Sequence, residues 1–142
     1  MNYVERIVAV GGDLVEVVGK EVRVNGQVLE HRACEPGERS LTVTRVGAED
    51  TFSANAECLS ETGVDGRAYP VVYQRHHERR GFGPETLRPG EVFVMGDARD
   101  NSFDSRFYGP IEAGSIVGRA FEIYFSYSAS AGFRWRRIGM RL

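Results

Sequence analysis

Residues 3 to 10 run Tyr-Val-Glu-Arg-Ile-Val-Ala-Val, a β-branched and aromatic stretch closed by Gly11-Gly12-Asp13, the pattern of a strand entering a turn. Leu14 to Val18 repeats it, Gly19-Lys20-Glu21 turns the chain, and Val22-Arg23-Val24 alternates into Asn25-Gly26. Both residues of that pair tolerate the positive φ of a type I′ turn, so a tight hairpin is predicted with Val24 and Val28 beside it. Ser40 to Val46, Ala68 to Tyr73 and Glu91 to Met95 read as further strands, and Ile116 to Tyr127 as a long one. Arg134 to Leu142 alternates weakly around Trp135, Ile138 and Met140.

Two stretches lack this patterning. Gly47 to Gly66 is polar, with material for a short helical piece at Asn55 to Ser60, and Gln74 to Pro84 is charged and reads as an exposed loop. They predict a variable polar insert at about 47–84 within a single domain spanning 1–142. No segment has the three-to-four-residue apolar spacing of a long amphipathic helix, and no internal repeat occurs, so the fold class is mainly β, built from hairpins.

Composition narrows the classes. With 42% hydrophobic and 27% charged residues, and eight Phe, six Tyr and one Trp, the chain has material for a core, which excludes wholesale disorder. No run approaches the roughly 18 apolar residues of a membrane span, and the first residues lack the order of a secretory signal, so no targeting or transmembrane segment is expected in this chain. Of 18 basic residues only Lys20 is a lysine, in a turn where it should be solvated. Chemistry that needs a neutral amine therefore has one candidate, because arginine effectively never loses its proton. Cys34 and Cys58 are spaced for neither a redox pair nor a zinc knuckle, which leaves a disulfide or two free thiols.

The densest chemistry lies in Gly96-Asp97-Ala98-Arg99-Asp100-Asn101-Ser102-Phe103-Asp104-Ser105-Arg106, directly after an apolar strand. Such a loop is either a well-capped surface turn or the rigid floor of a site. Gly11-Gly12-Asp13 joins two strand patterns and lacks the helix and lysine of a phosphate loop. Adjacent His76 and His77, with His31 the only other imidazole, predict no metal site, and no cofactor is expected. The acidic total and the absence of a recognisable motif predict no nucleic-acid partner. Phe133 and Trp135 among Arg134, Arg136, Arg137 and Arg141 suit either packing of Trp135 under a sheet or contact with an anionic membrane surface.

Met95 to Gly109, Met-Gly-Asp-Ala-Arg-Asp-Asn-Ser-Phe-Asp-Ser-Arg-Phe-Tyr-Gly, closely resembles the signature loop of bacterial type I signal peptidases, serine proteases that remove signal peptides from exported proteins. Ile116-Val117-Gly118-Arg119-Ala120 continues the match, and Tyr3 to Asp13 looks like the family segment that carries its catalytic lysine. The resemblance covers roughly residues 2 to 30 and 86 to 142. It implies a β-rich fold of hairpins and coiled sheets, a serine nucleophile, and a neutral lysine amine as general base. Carried over position by position, it implies that Arg6 pairs with an acid such as Asp97, that Ser102 orients the base, and that Asp104 and Arg106 form a structural ion pair beside the site.

Position 5 departs from the pattern, since Glu5 stands where the family has its lysine. The family's Ser-Met pair occurs nowhere in the sequence either. The chain is therefore expected to be a C-terminal portion of the catalytic domain, incomplete at its N-terminal side and without independent peptidase activity. Two classes of function remain: a signal-peptidase domain whose catalytic residues are missing or supplied by another chain, or a non-catalytic binding or assembly module that holds signal-peptide-like or other extended peptides. Uncovered strand edges predict a homo-oligomer. The resemblance places the chain on the extracytoplasmic face of the bacterial cytoplasmic membrane.

Overall fold

A computed structural model describes residues 3–35, 56–75, 77–128 and 132–141. The chain is mainly β. Strands β1 (Arg6–Val10), β2 (Leu14–Val18), β3 (Glu21–Val24) and β4 (Gln27–Val28) follow one another through short turns. Asn25 and Gly26 have φ of 54° and 79°, the tight turn that their side chains permit, and Val24 pairs with Gln27. The Asn25 amide also donates to Asp13 at 2.8 Å, and its carbonyl accepts from the Leu14 amide at 2.9 Å, so one side chain joins two turns.

β9 (Glu91–Met95) lies between β1 and the short β10 (Ile111–Glu112), all antiparallel. A second sheet has the order β4-β3-β2-β8, with β8 (Phe82–Thr86) on its edge. The two sheets share an apolar core in which Val8, Val15, Val17, Val22, Phe93 and Met95 are buried. Alternation in β2 and β3 turns their valines inward, and each buried valine or phenylalanine contributes roughly 1.5–3 kcal/mol. β8 begins inside the segment read from sequence as an exposed loop. Phe82 draws it in by packing on Phe93 at a ring distance of 4.6 Å, and Pro84 is tolerated because, among the described residues, β8 has a neighbour, β2, on one side only.

A third sheet, β5-β6-β7, comprises His31–Ala33, Ala56–Thr62 and Ala68–Gln74. The segment Asn55 to Ser60, which offered material for a short helical piece, instead runs from residue 56 as the start of its central strand, residue 55 lying outside the described residues. The polar sequence hid this strand because the fully buried Glu61 on it is satisfied by Arg99, Tyr69 and His31 and not by hydrophobic packing. Cys34 and Cys58 form a disulfide with Cα atoms 5.5 Å apart, joining the end of β5 to β6. Lys20 is not simply solvated, for its ammonium pairs with Glu57 of β6.

The long strand expected at Ile116 to Tyr127 is not formed. Val117, Phe121 and Tyr124 are exposed, and the segment is held by a Glu122–Arg141 bridge and the short hairpin β11 (Tyr127–Ser128) with β12 (Gly132–Phe133). Strand propensity there finds no partner strand among the described residues, and propensity without pairing does not make a sheet. Trp135 is 71% exposed in a 3-10 turn, Trp135–Arg137, stacked on Phe133 and not under a sheet. The predicted strand at 40–46 and His76 lie outside the described residues. No helix among the described residues is long and apolar enough to cross a membrane.

Glu61 and Arg99 are both fully buried, and Arg99 donates from two nitrogens to the two Glu61 oxygens at 2.9 and 2.6 Å. Arg99→Met strands a buried carboxylate and should lower stability by about 3–5 kcal/mol, whereas Arg99→Met with Glu61→Leu should recover much of that loss. Urea unfolding of both variants checks this, and a single variant within about 1 kcal/mol of the parent would refute the pairing as a structural keystone.

Candidate functional site

The register of β1 on β9, with Arg6 opposite Met95, brings Glu5 alongside Gly96 at the start of the polar loop. Gly96 is required there. A Cβ on it would lie 2.4 Å from the Ser102 hydroxyl oxygen and 3.0 Å from Glu5 Oε2, so glycine alone leaves room for the two side chains to meet. They do meet: Ser102 Oγ lies 3.3 and 3.4 Å from the two Glu5 oxygens.

The loop is held from behind by backbone and charge. Asp104 is buried, accepts the Gly96 amide at 3.0 Å, and caps the single helical turn α1 (Ser105–Tyr108) through the Arg106 amide at 3.2 Å. It also binds the Arg106 guanidinium through Nε at 2.8 Å and Nη2 at 2.7 Å. Burial alone would raise the Asp104 carboxyl, but Arg106, the Gly96 amide and the Ser102 hydroxyl together hold it below its ordinary value. The Val94 amide donates to Ser105 Oγ at 3.0 Å, and Val72 of β7 donates its amide to the Asp97 carbonyl at 2.8 Å. Asp100 accepts the Gln74 amide at 2.7 Å and Arg79 at 2.9 Å.

Arg6 makes a two-point fork with Asp97 at 2.7 and 2.8 Å, and its guanidinium lies 3.8 Å over the Tyr69 ring. Glu5, Arg6, Asp97, Ser102, Asp104 and Arg106 are thus neighbours, although 97 positions separate Glu5 from Ser102. Two further groups come together in the folded chain. Phe103, Phe107 and Tyr108 form an exposed aromatic cluster with ring distances of 5.1 and 5.7 Å from Phe103, next to Ser102. Behind the loop, Glu61 also accepts from Tyr69 at 2.7 Å and lies 2.8 Å from His31, so His31 serves that buried network. The aromatic cluster was readable as a Phe-x-x-x-Phe-Tyr spacing, but Glu61 sits in a polar segment whose pattern does not single it out.

Glu5 is the chemically unusual group. Burial, first, then the negative charges of Asp104 and, less strongly, Asp97 push its carboxyl from the ordinary 4.5 up to about 7, against the lowering effects of Ser102 and Arg106. Protonated, Glu5 can donate to Ser102, which in turn donates to Asp104. Ionised, it competes with Asp104 for the one Ser102 proton. An alkoxide formed on Ser102 would face both carboxylates, which disfavours that hydroxyl as a nucleophile. Among the described residues, no group of three or more His, Cys, Asp or Glu is placed to hold a metal ion.

A family model described as signal peptidase, peptidase S26, matches residues 1–125. Signal peptidase I of Haemophilus influenzae is 31% identical over 97% of this chain and 44% of its own length, and that of Aquifex aeolicus is 32% identical over 89% and 57%. Signal peptidase I of Helicobacter pylori reaches 53% identity over 51% of the chain and 24% of its own length. The chain spans about half the length of the Haemophilus and Aquifex relatives.

A carboxyl raised from 4.5 to about 7 binds its proton more tightly folded than unfolded, so its contribution to stability is complete below 4.5 and is lost as the pH rises through 7. Glu5→Gln should therefore match the parent near pH 4 and exceed it near pH 8, by about 1 kcal/mol once solvent screening of a half-buried group is allowed for. Thermal melts across that range read the difference, and parallel curves for the two proteins would contradict the raised value.

Proposed function

The chain belongs to the signal peptidase family, peptidase S26, and on that footing we propose that it recognises signal-peptide-like segments in extended form and does not itself cut them. The observation that carries the second half is the carboxyl of Glu5 beside Ser102, where the family resemblance implies a neutral amine. A lysine amine that has lost its proton can take one from a serine hydroxyl and leave the site cationic, which favours the oxyanion that follows. Glu5 near neutrality is either protonated, and no base, or ionised, and a further negative charge beside Asp104. A carboxylate activates serine in known triads through an intervening imidazole, and His31, bound to Glu61, is committed elsewhere.

Support for peptide holding comes from the sheet edge. Among the described residues β1 pairs with β9 alone, so its other edge offers free backbone groups to an added strand, with Phe103, Phe107 and Tyr108 exposed nearby. A second copy of the chain is the competing occupant of that edge, and sedimentation velocity over a wide concentration range reads it. The exposed aromatics Tyr124, Phe133 and Trp135 beside Arg134 and Arg136 favour contact with an anionic lipid surface. The Cys34–Cys58 disulfide favours an oxidising compartment, in keeping with an extracytoplasmic location.

Incubation of the chain with a signal-peptide substrate bearing small residues before the cleavage site, followed by mass spectrometry, should return intact substrate. Fluorescence anisotropy of the same labelled peptide should show saturable binding. Specific cleavage lost in Ser102→Ala or Ser105→Ala would overturn the non-hydrolytic reading, and absence of binding would overturn the holding role.

A further inference from the structure

We propose that Glu5 and Ser102, which meet across Gly96, select a basic side chain of the bound peptide, so that a lysine facing Glu5 is preferred over an apolar residue of the same length. This rests on the peptide-holding reading above and names the chemistry of its ligand.

The argument is one of charge balance. Five ionisable side chains crowd the head of β1: the cations Arg6 and Arg106, and the acids Glu5, Asp97 and Asp104. Arg6 spends its fork on Asp97 at 2.7 and 2.8 Å, and Arg106 spends its own on Asp104 at 2.8 and 2.7 Å. Glu5 is the surplus acid. Among the described residues its hydrogen-bond partner is the Ser102 hydroxyl at 3.3 to 3.4 Å, and Asp104 draws on that same hydroxyl. No ion pair to Glu5 occurs among the described residues.

A surplus half-buried carboxylate is neutralised by a proton or by a cation from outside. A divalent metal is a poor fit, because no set of three ligand side chains converges here and Arg106 stands close by. A lysine ammonium fits better. It is a point charge with three donors, enough for Glu5 and the Ser102 oxygen. Its four-carbon stem needs apolar cover, and Tyr3, Val4, Phe103 and Tyr108, all exposed at this end of β1, supply it. The edge of β1 that is unpaired among the described residues would hold the peptide backbone in the extended form that points alternate side chains toward Glu5.

The preference requires Glu5 to be ionised. Glu5 is faced by Ser102, Asp104 and Arg106 from the loop and α1, by Asp97 from the end of β9, by Tyr108, and by Tyr3 and Arg6 from its own segment. Protonation of Glu5 removes the attraction and restores the hydrogen-bond chain through Ser102 to Asp104.

Anisotropy titrations of the full chain with two labelled extended peptides, identical except for Lys or norleucine scanned along the sequence, test this. At about pH 8 one position should show the Lys peptide binding about tenfold tighter, and that preference should collapse at about pH 5.5. Glu5→Gln should abolish the preference, bringing the affinities of the Lys and norleucine peptides together. Equal binding of the two peptides at every position, or a lysine preference that survives in Glu5→Gln, overturns the basic subsite and leaves peptide holding intact. Failure of either peptide to bind overturns the holding role and this inference with it.

Discussion

The buried pair of Glu61 and Arg99 is the contact on which the arrangement of the site depends. Arg99 reaches from the polar loop into the space beneath β7, donating to both Glu61 oxygens, to the Tyr73 hydroxyl at 3.3 Å and to the Gly96 carbonyl at 3.1 Å. Burial opposes the charge on Glu61, yet His31, Arg99 and Tyr69 together hold its carboxyl down at about 2. Two charges withdrawn from water in this way contribute little net stability, but removal of either leaves the other uncompensated. The pair therefore fixes a geometry more than it adds free energy, and the geometry it fixes is that of the 96–106 loop against the β6–β7 hairpin.

From that anchor the front of the loop is determined in steps. Val72 and Gln74 of β7 donate backbone amides to Asp97 and Asp100, Asp104 caps α1 and receives Gly96, and Arg106 closes on Asp104. Each step satisfies a backbone group that a loop of this length would otherwise leave to solvent. Glu5, bonded to the Ser102 hydroxyl, has no cationic complement among the described residues. Every other acid near it is matched by a guanidinium, so its surplus charge is the feature of the site that an external ligand can answer.

Most of the fold was legible in residue order. Alternating valines located β2 and β3, because burial on one face of a sheet leaves a period-two trace; Asn25-Gly26 located the turn from β3 to β4, and the unbroken apolar run after Glu91 located β9, which is buried on both faces. β6 was not legible, for its fully buried Glu61 is polar and is satisfied by partners distant in sequence. The strand expected at 116–127 failed for the opposite reason: its residues have the propensity but no described neighbour to pair with along most of their length. Lys20 misled similarly, since a turn lysine found Glu57, and of the two placements the sequence left open for Trp135 the exposed one is observed.

The sequence by itself determined the family, through the 96–106 loop and the segment around Arg6, and it determined that an acid occupies position 5. Local pattern can specify these because they are statements about residue identity and short-range order. Only the tertiary structure decided that Glu5 meets Ser102 across Gly96, that both nearby arginines are already engaged, and that Glu61 lies beneath the loop. Those facts concern which charges share a low-dielectric space, and charge balance in three dimensions leaves no periodic mark in the chain.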